Sequence, residues 1–186
     1  MHNVEVLSIP AVIELLRRTR FDHDGEAVKS SELTLALLNW SPAPFSRKTY
    51  QPGHLTCTGV VLNPAMTHFL LVHHRRLDRW LLPGGHVEDE DRTPACTARR
   101  EVLEETGAEL DGAQGLLVGC DVHAIPSRSR EPMHLHHDLI FAFQAHSGNS
   151  SCSPESRAVV WRNVQQTSDL PLPIKRSVDR ALAMLG

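Results

Sequence analysis

The chain lacks the features that define several large classes of protein. Its four cysteines form no Cys-x-x-Cys pair and lie far apart, at Cys57, Cys96, Cys120 and Cys152. Neither a zinc ribbon nor a dithiol redox motif is therefore expected. No run approaches the ~18 apolar residues that a bilayer span requires, and no signal-like apolar core follows basic residues at the start. These absences predict reduced thiols, a cytoplasmic location and no membrane partner.

The balance of charge excludes another class. The formal net charge is -3 with histidine neutral, and the chain has no block of Lys and Arg. Proteins that bind a nucleic-acid polymer usually present a basic patch. We therefore expect no nucleic-acid polymer as a partner, whereas a small nucleotide is compatible with the composition. A length of 186 residues suits a single domain.

The segment 84–108 carries the strongest positive signal. Thr93 can cap a helix, Pro94 suits the first helical position, and Gly107 suits the left-handed residue after the end. These signals predict a helix over residues 94–106.

Three carboxylates gather on this predicted helix. At 100° per residue, Glu101, Glu104 and Glu105 fall on one side, away from the apolar stripe. Like charges three or four residues apart destabilise a helix by a few tenths of a kcal/mol per pair, so a cation nearby would offset the cost. A solvated acidic face is the alternative. The preceding Gly84-Gly85, which we interpret as a turn, could bring a backbone carbonyl close to the acids, and such oxygen ligands suit Mg²⁺.

The same segment resembles the signature of the Nudix (MutT-like) hydrolases. That signature has a Gly, five residues, Glu, seven residues, and then Arg-Glu-apolar-any-Glu-Glu-any-Gly-apolar; Gly85 and residues 100–108 match it. Asp91 stands where the first Glu belongs, and eight residues separate it from Arg100. We interpret this as one extra loop residue, as in a branch of the family that shares the Pro-Gly-Gly-His-Val-Glu of residues 83–88. In the family this acid pairs with the arginine, so Asp91 and Arg100 are expected to be structural partners.

The resemblance implies a fold, an activity and a set of site residues. Nudix hydrolases cleave a diphosphate linkage in a nucleoside diphosphate joined to another moiety, and they use Mg²⁺ or Mn²⁺. Glu101, Glu104 and Glu105 are implied as metal ligands and catalytic residues, with the general base open among the three. The Gly85 carbonyl is implied as a further ligand. The expected partner is a small diphosphate or nucleotide substrate; the alternative is a Nudix-fold ligand-binding or regulatory module with little catalysis.

Histidine is the second unusual feature, with twelve in the chain. A His-x-His pair on a strand points both rings to one face, so His134 and His136 could converge with His123 on a phosphate, a base or a metal. Substrate contact, which the His-Leu-His-any-Asp pattern of the family branch favours, competes with hydrogen bonding inside the fold. A zinc site is a third interpretation. Asp138 is the first candidate for an additional acid outside the signature, and Glu155 is the second.

A basic turn precedes Trp80. If its Arg75 or Arg76 faces the acidic helix, that guanidinium would bind a substrate phosphate. A surface turn without a binding role is the alternative.

The order of elements agrees with the α/β/α sandwich and mixed sheet that the resemblance implies. Apolar periodicity predicts helices from Pro10, from a cap at Ser31 to Trp40, and over 174–185. It predicts strands over residues 55–62, 69–73, around 80, and over 115–123, 138–145 and 158–161. We divide the chain into an N-terminal helical extension, 1–50, and a hydrolase domain, 51–186. The extension could pack on the sandwich, cover the substrate or make a homodimer contact.

Overall fold

Four helices and seven strands make up the part of the chain that the computed structural model describes, residues 7–22, 24–112, 114–128, 131–154 and 156–186. In chain order they are α1 (Ile9–Arg18), α2 (Gly25–Trp40), β1 (Gly53–Leu62), β2 (His68–His74), β3 (Arg79–Leu81), β4 (Gly84–His86), α3 (Pro94–Thr106), β5 (Leu116–Ile125), β6 (His134–Gln144), β7 (Ser156–Asn163) and α4 (Leu172–Leu185). Glu155 lies outside the described residues. No described helix combines the length and the apolar character needed to cross a membrane.

The strands form one mixed sheet. Its central order is β3-β2-β1-β6-β5, in which β1 and β6 run parallel and the other neighbours run antiparallel. β7 adds to β2, and β4 pairs with residues 56–58 of β1. Because β2 pairs with β1 only at Leu62, β1 has β4 beside its first half and β2 at its end.

Helices cover both faces of this sheet. Neighbouring residues of a strand point to opposite faces, so β1 contributes to two cores. Leu55 belongs to the core that includes Val12 of α1 and Ala98 of α3, whereas Val60 belongs to the core that includes Val178 of α4. The structure is therefore the α/β/α sandwich that the resemblance implied.

The prediction that Ser31 caps α2 was wrong. The cap is Asp24, whose carboxylate accepts a hydrogen bond from the Ala27 amide at 3.2 Å. Ser31 lies inside the helix and is buried together with Ser30 and Thr34. Small polar residues on the buried face interrupt the apolar period, and this concealed the first turns of the helix.

Two strand boundaries also differ from the prediction. β6 begins at His134 rather than near Asp138, because it pairs with both β1 and β5 from its first residues onward. Gly84 and Gly85, expected to form a turn, belong to β4 and pair with β1. Both differences arise from pairing between distant segments.

The N-terminal helices pack on the sheet. Val12 and Leu16 of α1 and Leu38 of α2 share a core cluster with Leu139 of β6. The hydroxyl of Thr34 in α2 lies 3.2 Å from Nδ1 of His137 in β6. The boundary at residue 50 between extension and hydrolase domain stays a prediction.

An ion pair fixes the loop between β4 and α3. Arg100 Nε and Nη2 donate to the two carboxylate oxygens of Asp91 at 3.2 and 2.9 Å, and Nη2 also donates to the His86 carbonyl at 2.8 Å. Asp91 is 8% exposed and accepts a hydrogen bond from the Glu88 amide. Burial acts to raise the pKa of Asp91, but the hydrogen bonds from Arg100 and Glu88 outweigh it and hold the pKa below its ordinary value. The extra loop residue therefore leaves Asp91 and Arg100 in contact.

We expect Asp91→Asn to lower the free energy of unfolding at neutral pH by about 2 kcal/mol, because it removes the charged partner of a half-buried Arg100. Since the folded pKa of Asp91 lies below its unfolded value, its contribution is present above the unfolded pKa and is lost as pH falls through the folded pKa. The difference in free energy of unfolding between wild type and Asp91→Asn should therefore become smaller below about pH 4.

Urea denaturation near neutral pH and near pH 3 measures this difference. Asp89→Asn, at an exposed acid in the same loop, is the matched control and should leave stability unchanged at both pH values. An Asp91→Asn effect of equal size at both pH values would contradict the prediction.

Candidate active site

Two acids of α3 reach β4. The Gly84 amide donates to Glu105 Oε2 at 3.1 Å, and the Glu101 carboxylate lies against the backbone of Gly85. A Cβ atom at position 85 would overlap that carboxylate, so any other residue there would displace the Glu101 side chain. Because Glu101 and Glu105 are one helical turn apart, both carboxylates meet the same short strand.

Glu104 has a different environment. Its side chain is 56% exposed, against 15% for Glu101, and Glu105 is buried. The expected patch of three acids away from the apolar stripe is therefore divided. Glu105 lies on the buried side of α3 with Val102 and Thr106, so two acids face the protein and one faces solvent.

Arg100 connects these acids. Its Nη1 lies 2.9 Å from Glu101 Oε1 and 3.1 Å from Glu104 Oε2. Burial raises the pKa of Glu101; the charge of Arg100 opposes this rise, and the charges of Glu104 and Glu88 add to it. One guanidinium shared by several carboxylates leaves negative charge that a cation would neutralise.

The donor set fits a hard divalent cation. Glu101, Glu104 and Glu105 offer carboxylate oxygens, and the backbone of Gly85 passes directly beside Glu101. Mg²⁺ prefers oxygen ligands and usually binds through one or two carboxylates, leaving positions for water and substrate phosphate. Mn²⁺ accepts the same ligands. These residues would hold either ion.

Asp138 is a further buried acid beside this region. It is 8% exposed and accepts hydrogen bonds from the hydroxyls of Thr56 and Thr58, each at 3.0 Å. Burial raises the pKa of Asp138, while the charge of His123 and the two hydroxyls oppose the rise. Thr58 is the strand partner of Gly84, so Asp138 is connected through one residue to the strand that the helix acids contact.

Five histidines lie on the same face of the sheet as Asp138. His136 is the strand partner of both His54 and His123, and its Nε2 lies 3.3 Å from Nε2 of His134. The ring of His86 is 5.1 Å from that of His54 and 5.3 Å from that of His136. The structure thus brings together His123, His134 and His136, as strand alternation predicted.

His54 and His86 escaped the sequence analysis. His86 lies in the Pro-Gly-Gly-His-Val-Glu segment, and His54 is the second residue of β1, but their proximity depends on the pairing of β4 with β1. No local pattern reveals that pairing.

The environment divides the cluster by charge. Burial, followed by the charge of His54, lowers the pKa of His86 to about 4. Burial and the surrounding histidines also lower the pKa of His136 strongly. A hydrogen bond from His123 to Asp121 at 2.8 Å raises the pKa of His123. The centre of the cluster therefore favours neutral rings, and its edge at His123 favours the cation.

The structure does not connect the basic turn to the helix acids. Arg75 and Arg76 are exposed between β2 and β3, and within the described ranges neither forms an ion pair with a carboxylate. Arg75 donates to the Ser156 carbonyl at 3.4 Å, and the Arg76 amide donates to His74 Nδ1.

Sequence comparison identifies related proteins. Residues 53–183 match the family described as the NUDIX domain. An 8-oxo-(d)GTP phosphatase from Mycolicibacterium smegmatis is 29% identical over 123 residues. That match covers 66% of this chain but 35% of the relative, so the chain spans only a part of that protein's length.

Solved structures share the fold. The NUDIX domain of Shewanella oneidensis NrtR, complexed with ADP ribose, has a TM-score of 0.54 and 18% identity, and the match covers 82% of this chain and 98% of that one. The MutT protein from Bacillus halodurans has a TM-score of 0.53 and 23% identity, with 69% and 81% covered. At such identities the likeness shows the fold alone. Since the family match spans residues 53–183 and includes both the acids of α3 and the glycines of β4, the chain belongs to the NUDIX domain family.

Proposed function

We propose that this protein hydrolyses a diphosphate bond in a nucleoside diphosphate-linked or related small phosphorylated metabolite, with Mg²⁺ or Mn²⁺ as its cofactor. The observation that carries the proposal is the meeting of Glu101 and Glu105 at Gly84 and Gly85 of β4. We assign Glu101 and Glu105 as the first metal ligands, with Glu104 completing the set and the Gly85 carbonyl as a further ligand.

Two of the related proteins support a nucleotide substrate. The relative from M. smegmatis is named for 8-oxo-(d)GTP, and the Shewanella domain was solved with ADP ribose. Both compounds contain a phosphoanhydride attached to a nucleoside. We extend that shared chemistry, a nucleoside with at least two linked phosphates, to the substrate of this protein.

Contacts with β4 would hold the acids of α3 in position for catalysis. The Gly84 amide and the close backbone of Gly85 fix the positions of Glu105 and Glu101, so little reorganisation is needed on binding. When bound, the ion neutralises phosphate oxygens and lowers the pKa of a coordinated water. One of Glu101, Glu104 and Glu105 would accept the proton from the attacking water, and Glu104 is the most exposed of the three.

We also propose contacts with the substrate outside the signature. His123 suits a phosphate group, because its hydrogen bond to Asp121 favours the cationic ring. His134 and His136 lie on the same face and would line the substrate beside His123. Phosphate contact by Arg75 or Arg76 would require a substrate that extends from the helix acids to the turn between β2 and β3.

Metal dependence is the first test of this function. Release of phosphate or nucleotide would be measured for nucleoside diphosphate and triphosphate compounds, including 8-oxo-dGTP and ADP ribose, with Mg²⁺, with Mn²⁺ and with EDTA. We expect turnover of at least one compound with either metal and none with EDTA. Nucleotide binding without turnover across the whole panel would contradict hydrolysis and favour a Nudix-fold binding module.

The role of the helix acids has its own test. We expect Glu105→Gln to lower kcat by at least about 100-fold, as does the loss of a group that stabilises developing charge in other enzymes. The amide keeps the shape of the side chain, so circular dichroism should show an unchanged fold. Glu109→Gln, at an exposed acid just beyond α3, is the matched control and should keep the wild-type rate. Wild-type turnover by Glu105→Gln would remove the central assignment.

A further inference from the structure

Three histidines outside the carboxylate site bring their ring nitrogens together. Each of His54, His86 and His136 offers one nitrogen, and the three nitrogens lie within 4.8 Å of one another. The ring centroids are 4.9–5.3 Å apart. Because the three residues come from β1, β4 and β6 of a single sheet, hydrogen-bonded strands hold their positions.

The hydrogen bonds of His54 establish which of its nitrogens is free. Its Nδ1 lies 3.0 Å from the Thr49 carbonyl, which can only accept, so Nδ1 carries the proton and Nε2 has a lone pair. His54 is 1% exposed, and among the described residues its Nε2 has no hydrogen-bond partner. A ring nitrogen whose opposite N–H binds a backbone carbonyl is the usual arrangement of a metal-binding histidine.

A fourth ring repeats this arrangement. His134 Nδ1 lies 2.8 Å from the Pro132 carbonyl, so its Nε2 also has a lone pair. That Nε2 is 3.3 Å from Nε2 of His136. Two nitrogens bound tetrahedrally to zinc at about 2.0–2.1 Å are about 3.3–3.4 Å apart. This spacing fits two ligands sharing one ion, and it equally fits a hydrogen bond in which the Nε2–H of His136 donates to His134.

We propose that His54, His86 and His136 bind a Zn²⁺ ion, with His134 beside its fourth coordination position. Imidazole nitrogen is a borderline ligand that suits zinc, whereas Mg²⁺ takes oxygen. Gly85 faces Glu101 of α3, so the next residue, His86, points to the opposite side of β4. The zinc site thus lies across a strand from the carboxylates. It leaves the metal ligands proposed on α3 unchanged, but it replaces the substrate contact proposed above for His134 and His136.

Packing between the histidine rings does not explain why the buried Nε2 of His54 has no hydrogen-bond partner among the described residues. His54 and His134 stack with centroids 5.0 Å apart and planes at 27°. Such stacking provides dispersion contact but gives the buried His54 Nε2 no donor. A metal ion satisfies that lone pair and those of the neighbouring rings together.

Metal binding by the tag-free chain tests the proposal. Apo protein would be titrated with Zn²⁺, and with Co²⁺ as a spectroscopic substitute, and the metal content would be measured after dialysis. We expect one Zn²⁺ per chain and the intense visible bands of tetrahedral Co²⁺. His86→Gln should weaken Zn²⁺ binding by at least about 100-fold, since losing an outer partner already costs 10–100-fold.

Two control variants separate this site from others. His146→Gln, at a histidine whose side chain is 68% exposed, should bind Zn²⁺ as wild type does. Glu105→Gln should do the same, because the carboxylates lie across β4. We choose His86 because it is only half-buried, so its substitution should destabilise the fold less than substitution of the fully buried His54. Circular dichroism of the apo forms checks that each variant is folded.

Three results would overturn the zinc site. These are an apo wild type that takes up no Zn²⁺ at micromolar concentration, stoichiometric binding that persists in folded His86→Gln, and binding that Glu105→Gln weakens as much as His86→Gln does. The last result would place the ion among the carboxylates.

Discussion

The pairing of β4 with the first half of β1 is the constraint on which both proposed sites depend. β4 has three residues and lies between two groups of proposed metal ligands. On one side Gly85 lies against Glu101, and the Gly84 amide donates to Glu105. On the other side His86 joins histidines of β1 and β6. Because β2 pairs with β1 only at its far end, this edge of β1 is open to β4.

The acids of α3 illustrate how neighbouring charges stabilise the candidate site. Like charges on successive turns oppose helix formation, and burial of Glu101 adds to that cost. Arg100 offsets part of it through contacts with Glu101, Glu104 and Asp91. The Asp91 contact also fixes the arginine, since it occupies Nε and Nη2 and leaves Nη1 for the helix acids. A bound cation would reduce the remaining repulsion.

Local signals predicted α3 well. The Thr93 hydroxyl accepts from the Cys96 amide at 3.1 Å, and Gly107 has φ of 61°, as the capping residues indicated. The resemblance to the Nudix signature then implied the sandwich, which apolar periodicity alone would not have chosen. α2 was placed less well, since its cap at Asp24 precedes a face of buried serines.

The histidine cluster shows what the sequence could not provide. The His-x-His spacing predicted that His134 and His136 share a face, and adjacent β5 adds His123. His54 and His86 are separated along the chain and meet only through pairing between β1, β4 and β6. Strand register between distant segments is set by the packed sheet as a whole, so no pattern around either histidine reports it.

Anomalous diffraction from crystals soaked in Mn²⁺ and a non-hydrolysable nucleoside diphosphate tests most directly whether the acids of α3 form a metal centre. We expect an anomalous peak within bonding distance of carboxylate oxygens of Glu101 and Glu105, next to the Gly85 carbonyl and a phosphate oxygen. A bound nucleotide with no Mn²⁺ at these carboxylates, or with Mn²⁺ only among the histidines, would contradict the assignment.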